Sequence, residues 1–305
     1  MKMNKKMNLV EQFNHDVNNS DQTRFERWTD YRKKVSAFLL PHFEEHGKQE
    51  KLLILGAGNC DDLDLLFLKT HYSFITLTDI DVLNIQKGII NQGLSVQDFE
   101  ILQVDYTGFE KVGFFNHLVD DLLLCTSVDA IESLIISKLK NLTNHQFLSS
   151  YERMFDSILM TPLYTQLVLN QVLNTMEVMD KLKYPNHLIK FIEARMLDEM
   201  PIIIDRFNQN VNILLKENGY LFILSDIFQS GIDEAFYHQV TQSIDSVEFM
   251  DLIYANYMNL YGYGLGDYGL LSMSYLRKSK HYTWLIWPFT EQVHMIVKFE
   301  IFSSL

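Results

Sequence analysis

Gly56-Ala57-Gly58-Asn59 interrupts an apolar run, Leu52-Leu53-Ile54-Leu55, and is followed at once by Cys60, Asp61 and Asp62. Glycines at a strand-to-helix turn permit φ > 0 and let backbone approach a ligand closely. A second apolar run, Phe74 to Thr78, ends in Asp79. It lies about twenty residues beyond the turn, where a carboxylate can accept hydrogen bonds from ribose hydroxyls. A dinucleotide does not fit this pattern. The third glycine of G-x-G-x-x-G would fall on Asp61, beside Asp62, at the start of a helix expected over Asp61 to Lys69, and two carboxylates at a helix N-terminus repel a pyrophosphate. They favour a ligand with a ribose and positive charge but no phosphate.

Other residues could also do chemistry. Thr161-Pro162-Leu163-Tyr164 follows the apolar run Phe155 to Met160, and Ser225-Asp226 ends the run that starts at Gly219. His42-Phe43-Glu44-Glu45-His46 fits H-x-x-E-H, with both histidines on one helix face and Glu45 as the base of a zinc hydrolase. Such a site needs a third ligand and an open position, and Pro41 and Gly47 also frame the segment as an ordinary last turn of a helix. Gly264-Leu265-Gly266-Asp267-Tyr268-Gly269 matches G-x-G-x-x-G literally. It follows a helix-like segment rather than a strand and so lacks the context of a dinucleotide turn. Cys60 lies inside the glycine turn, and no cysteine falls near Thr161 or Asp226.

Taken together, GAGN after a strand and an acid at the next strand end resemble the S-adenosylmethionine site of the Rossmann-like (class I) methyltransferases. The resemblance continues in order to the C-terminus. Ile101 to Tyr106 resembles the third strand, whose terminal Asp in such enzymes meets the adenine amino group. Phe155 to Pro162 resembles the fourth, and Gly219 to Asp226 the fifth. His281 to Pro288 and Val293 to Phe302 resemble the closing pair, one of them antiparallel. The resemblance implies an α/β fold, with a doubly wound, mainly parallel seven-stranded sheet, an antiparallel edge strand and a helical cap. It implies S-adenosylmethionine as cofactor, S-adenosylhomocysteine as product, and direct displacement onto a small-molecule acceptor in a capped pocket. The cofactor residues it implies are Leu55, Gly56, Ala57, Gly58 and Asn59 around the methionine part, with Asp79 and Ile80 at the ribose. Asp105 and Tyr106 would meet the adenine, and Pro162 is also among the cofactor residues. The family often has an acid where this chain has Ile54, which passes the amino-group contact to Asp61, Asp62 or Asp64. Thr161, Pro162 and Tyr164 are similar to the (Asp/Asn/Ser)-Pro-Pro-(Tyr/Phe) motif of enzymes that methylate amide or exocyclic amino nitrogens, with Leu163 in place of the second proline. Thr161, Tyr164 and Asp226 are the implied catalytic candidates. Two other function classes stay open: a catalytically silent cofactor-binding regulator, which Ile54 suggests, and the zinc hydrolase on His42, Glu45 and His46.

The elements that must position these residues can be read from the rest of the chain. Its 305 residues are 47% hydrophobic, enough for a substantial core, with a net charge of −13 and a pI near 5.2. That charge disfavours a phosphate-backbone partner, whose binding rests on clustered Lys and Arg. Two cysteines suit a reducing compartment, no apolar run is long enough to span a bilayer, and no signal peptide is indicated. The expectation is a cytoplasmic protein without nucleic-acid or membrane partners, its oligomeric state unspecified. Residues 1–23 read as a mobile arm and 24–305 as one domain. Residues 24–50 carry an N-terminal helix whose Trp28, Tyr31 and Arg32 could cover the pocket. Helical insertions at 111–150 and 163–217, the second broken at Pro185 and Pro201, would build the cap. Residues 255–271, rich in Gly and Tyr, read as a flexible loop that could act as a gate.

Overall fold

The computed structural model describes residue 21 and residues 23–305, so the arm expected over residues 1–23 lies almost wholly outside the described residues. Helices α1 (Arg24–Arg27) and α2 (Thr29–His46) lead into β1 (Gln49–Leu55). Then come α3 (Leu65–His71), β2 (Tyr72–Asp79), α4 (Val82–Asn91) and β3 (Glu100–Gln103). The next connection carries α5 (Phe114–Leu123) and α6 (Val128–Lys140) before β4 (Phe155–Met160). Helices α7 (Leu169–Lys181) and α8 (Asn186–Leu214) separate β4 from β5 (Leu215–Gln229). The chain ends with α9 (Glu234–Ser243), α10 (Val247–Tyr261), α11 (Leu265–Ser274), β6 (Lys278–Trp287) and β7 (Met295–Ser303).

The seven strands of the described residues form one sheet in the order β3-β2-β1-β4-β5-β7-β6. The first five are parallel, and β7 runs antiparallel to both β5 and β6. β1 is central, which explains its unbroken apolar run. Leu53 and Leu55 enter the core on one face, and Leu52 and Ile54 the core on the other, as the two-residue alternation of a strand requires. Ile54 is fully buried among aliphatic and aromatic side chains, so a carboxylate there would be desolvated without a partner. Strand order reverses between β1 and β4, the place where doubly wound sheets open a crevice beyond their C-terminal strand ends.

Three elements differ from the sequence expectation, each for a local reason. The helix expected from Asp61 begins at Leu65, because the Asp64 carboxylate caps it by accepting the Phe67 N–H at 2.8 Å. Pro185 does stop a helix, at the N-cap of α8, but Pro201 sits inside that 29-residue helix. The lost hydrogen bond is outweighed by a buried stripe that runs through it, including Ile192, Met196, Met200, Ile203 and Phe207. Residues 255–271 are not a loop. They form the end of α10, a break at Gly262, where φ is +74°, and most of α11.

The glycines that gave 255–271 its loop-like look serve packing instead. A Cβ at Gly266 would lie 2.2 Å from the Asp226 carbonyl oxygen, and one at Gly269 would lie 2.4 Å from the Tyr164 ring. They let α11 press against β5 and the segment after β4. Gly269→Ala is expected to destabilise the protein by about 1–3 kcal/mol through overpacking, read as a lower midpoint in chemical denaturation. An unchanged midpoint would mean that the close approach is not needed.

Candidate functional site

A cavity of about 250 Å³ opens above the C-terminal ends of β1, β2, β4 and β5. Its floor is the glycine turn. Gly56 has φ +73° and Gly58 φ +49°, conformations that disfavour a Cβ. Neighbours fix the turn from three sides. The Thr161 hydroxyl donates to the Gly56 carbonyl at 2.7 Å, and a Cβ on Gly56 would meet that same oxygen at 2.7 Å. The Tyr106 hydroxyl accepts the Gly56 N–H at 2.8 Å and donates to the Thr78 carbonyl at 3.0 Å. The Gly58 N–H donates to Asp79 Oδ2 at 2.9 Å. α4 closes from below: a Cβ on Gly88 would lie 1.8 Å from the Asn59 carbonyl oxygen. Gln92 donates to the Cys60 and Leu63 carbonyls and accepts the Leu65 N–H.

Around this floor stand Gly56, Ala57, Gly58, Asn59, Asp79, Ile80, Asp105, Tyr106, Thr161, Pro162 and Asp226, all drawn from the sequence expectation. Leu55 and Tyr164 are not in the lining. Leu55 is fully buried in the core. Tyr164 is buried behind the site, its hydroxyl donating to Asn208 Oδ1 at 2.9 Å and its ring against Gly269. The Asp105 carboxylate accepts N–H groups of Thr107, Gly108 and Lys111, which fold the chain back under it. The Thr161 and Tyr106 hydroxyls both brace the turn.

The walls are acidic. Asp61, Asp62, Asp79, Asp105 and Asp226 line the cavity, with Arg24 as the cation among them. Arg24 Nη2 lies 3.3 Å from Asp61 Oδ2. The Arg32 guanidinium donates to the Asp61 carbonyl at 2.6 Å, so α2 grips the end of the turn. Of the three acids that could replace the family's usual carboxylate, Asp61 and Asp62 face the cavity, while Asp64 caps α3. Burial raises the carboxyls of Asp61 and Asp79 above the ordinary value; it pushes Asp62 to about 7 and Asp226 to about 6. A raised carboxyl pKa means the anion lacks compensation.

The roof is aromatic. Trp28, Trp287 and Phe289 lie over the cavity, with Trp28 edge-on to Trp287 at 4.9 Å between ring centres. Trp28 Nε1 donates to the Pro288 carbonyl at 2.6 Å, and Arg27 donates to the Pro288 and Phe289 carbonyls at 3.0 Å each. Tyr31, proposed above as a cover residue with Trp28 and Arg32, stacks under Trp287 at 5.9 Å. From the 163–217 segment, Thr165, Gln166, Asn170 and Gln171 close one side.

Several of these residues had no legible signal. Arg24, Trp287 and Gln171 come from distant segments and only the fold collects them. Gly88 could have been found, as an isolated glycine inside an otherwise regular amphipathic helix.

The His42 and His46 rings lie 4.5 Å apart but pack against Tyr220, His42 edge-on and His46 tilted, and His42 also meets Phe222. Burial and the neighbouring His46 push His42 down to about 4, and its Nε2 pairs with Gln49 Nε2 at 3.1 Å. Among the described residues no three His, Cys, Asp or Glu side chains group as a metal site. Cys60 is buried, and burial raises its thiol well above the ordinary value, which opposes a thiolate nucleophile. No helix of the described residues is long and apolar enough to cross a membrane.

No family model matches the sequence, and no curated protein matches it either. Solved structures that resemble this chain include the N-methyltransferase NodS from Bradyrhizobium japonicum WM9 in complex with S-adenosyl-L-homocysteine, at 12% identity and TM-score 0.46, covering 97% of this chain and 98% of that one. A second is the Burkholderia thailandensis 1,6-didemethyltoxoflavin-N1-methyltransferase, at 12% identity and TM-score 0.40, covering 97% and 87%. A SAM-dependent methyltransferase from Methanosarcina mazei aligns at 12% identity and TM-score 0.42, covering 84% and 92%. Likenesses this distant leave the chemistry to be argued from the chain's own residues.

Proposed function

We propose that this protein is a methyltransferase of the Rossmann-like class that binds S-adenosylmethionine in the cavity over the glycine turn and acts on a small molecule. One observation carries the reading. The ligand crevice of a doubly wound sheet is here lined, among the described residues, by five carboxylates and one arginine, with Asp79 held at the end of β2 by the Gly58 N–H. A nucleotide phosphate is repelled by such walls, whereas a ribosyl sulfonium that also carries an ammonium is attracted. The donor set fits that group part by part. Asp79 would accept the ribose diol, and Asp61 with Asp62 the ammonium of the methionine part. Arg24, close to Asp61, is placed to meet its carboxylate. Ile80 and the 104–107 segment would flank the base.

The bound cofactor would supply a methyl group activated by a positive sulfur. The chain's own residues align the two reactants and exclude water, the main demands of a direct displacement. The Trp28–Trp287–Phe289 roof serves the second demand and makes a small acceptor the better fit. Calorimetric titration of the purified protein with S-adenosylmethionine and S-adenosylhomocysteine tests the reading. Micromolar binding of both is expected, about −8 kcal/mol, with NAD⁺ at least a hundredfold weaker because of its pyrophosphate. Absence of heat and of any thermal shift with both sulfur ligands would remove the reading.

A further inference from the structure

We infer that the acceptor is an amine, held as a cation by Asp226 and stripped of its proton there. The inference rests on the methyl-transfer reading above and names the acceptor class of that same site.

The first observation is place. Met160 at the end of β4 pairs with Ile223 of β5, so Asp226 stands three residues further along, roughly 10 Å beyond the strand end that carries Thr161. β5 lies on the β4 side of the switch point, three strand spacings, roughly 14 Å, from β2 and its Asp79. A ribose at Asp79 therefore leaves Asp226 on the opposite wall, free to face the other reactant.

The second observation is unfilled hydrogen-bonding capacity. Asp226 Oδ2 accepts the Thr165 hydroxyl at 2.9 Å, while the buried Oδ1 has no hydrogen-bond partner among the described residues. Gln171 lines the same cavity, and its buried Oε1 likewise has no hydrogen-bond partner among the described residues. Two orphaned acceptors on residues that line one cavity call for a ligand that brings N–H groups, since burying them unmet carries a large desolvation cost. Trp28 and Trp287 line the same cavity, and the face of an indole ring attracts a cation.

The third observation is charge. A carboxylate or phenolate acceptor would add an anion beside five carboxylates whose nearest cation, Arg24, already lies against Asp61. An ammonium is attracted. Closed off from water, an ammonium–carboxylate pair can pass a proton from nitrogen to Asp226 Oδ1, giving a neutral amine with a free lone pair and a neutral acid. The Asp226 carboxyl, raised by burial to about 6, is a better proton acceptor than an exposed aspartate.

The test does not need the acceptor's identity. Sinefungin carries an amino-bearing carbon where S-adenosylmethionine carries its methylsulfonium, and so offers a cationic nitrogen towards the acceptor side. Calorimetry of wild type and Asp226→Asn with sinefungin and S-adenosylhomocysteine should show a wild-type preference for sinefungin of at least tenfold. In Asp226→Asn that preference should fall to threefold or less, with S-adenosylhomocysteine affinity within twofold of wild type, which also certifies the variant's fold. An equal preference in both proteins, with S-adenosylhomocysteine binding intact, overturns the assignment of Asp226 while the cofactor reading stands. Loss of S-adenosylhomocysteine binding in Asp226→Asn alone would also overturn it, by placing Asp226 on the cofactor side. If wild type binds neither ligand, the underlying methyl-transfer reading fails, and the inference with it.

Discussion

Asp79→Ala is expected to weaken S-adenosylmethionine binding about a hundredfold. Two ribose hydroxyls donating to one buried carboxylate make charge-assisted bonds worth about 1.5–3 kcal/mol each. Part of that total is recovered by water in the enlarged site, leaving a net loss of about 3 kcal/mol, or two orders of magnitude. The variant also strips the Gly58 N–H and the Asp81 N–H of their shared acceptor, so the turn itself loosens. Thermal unfolding separates the two contributions. A modest fall in midpoint with a hundredfold loss of affinity supports a ligand-facing Asp79. A large fall in midpoint with unchanged affinity would make it a brace for the turn and nothing more.

Asp62→Asn should stabilise the unliganded protein above pH 7 and weaken cofactor binding at the same time. Asp62 is buried, and burial, reinforced by the neighbouring Asp61 charge, raises its carboxyl to about 7 from an ordinary 3.8. A carboxyl raised in the folded state holds its proton there while the unfolded chain has lost it. Its contribution is therefore fully present below about pH 4 and lost as pH rises through about 7. Stability of the free protein should fall across that window, and Asp226, raised to about 6, adds to the slope. Neutralising Asp62 removes its share, about 2–4 kcal/mol at pH 8 as an order of magnitude. Saturating S-adenosylmethionine should flatten the same slope in wild type, because the ammonium compensates the anion. Denaturation midpoints at several pH values between 4 and 8, with and without ligand, measure both effects. If Asp62→Asn were less stable than wild type at pH 8, the carboxylate would already have its cation within the fold.

The parts of the fold that were legible in sequence are those where local and tertiary demands agree. β1, buried on both faces, must be apolar throughout, and the glycine turn must have glycines because its φ values are positive. Asp79 was legible as the end of β2, because the apolar run Phe74 to Thr78 stops there. The failures are places where a residue type serves a distant partner. Gly266 and Gly269 read as loop, yet the α11 they sit in is shaped by β5 and Tyr164. Tyr164 has the right spacing for a substrate-facing ring, but Asn208, on α8, draws its hydroxyl inward. The α8 stripe carries a helix through Pro201 against local propensity. Arg24 precedes β1 by one whole helix and reaches the site only because α2 folds back over the turn, with Arg32 as its anchor. Thr161 answers to both descriptions: its position at the end of β4 follows from the strand pattern, but the bond to the Gly56 carbonyl is a property of the folded turn.

The most direct measurement is a crystal structure of the protein with S-adenosylhomocysteine. The account predicts the ligand over the Gly56–Asn59 turn, its ribose diol within hydrogen-bonding distance of the Asp79 carboxylate, about 2.7 Å. The methionine ammonium should meet Asp61 or Asp62, with the sulfur turned towards Thr161 and Asp226. A ligand elsewhere on the protein, or one in this cavity with its ribose away from Asp79, would contradict the account.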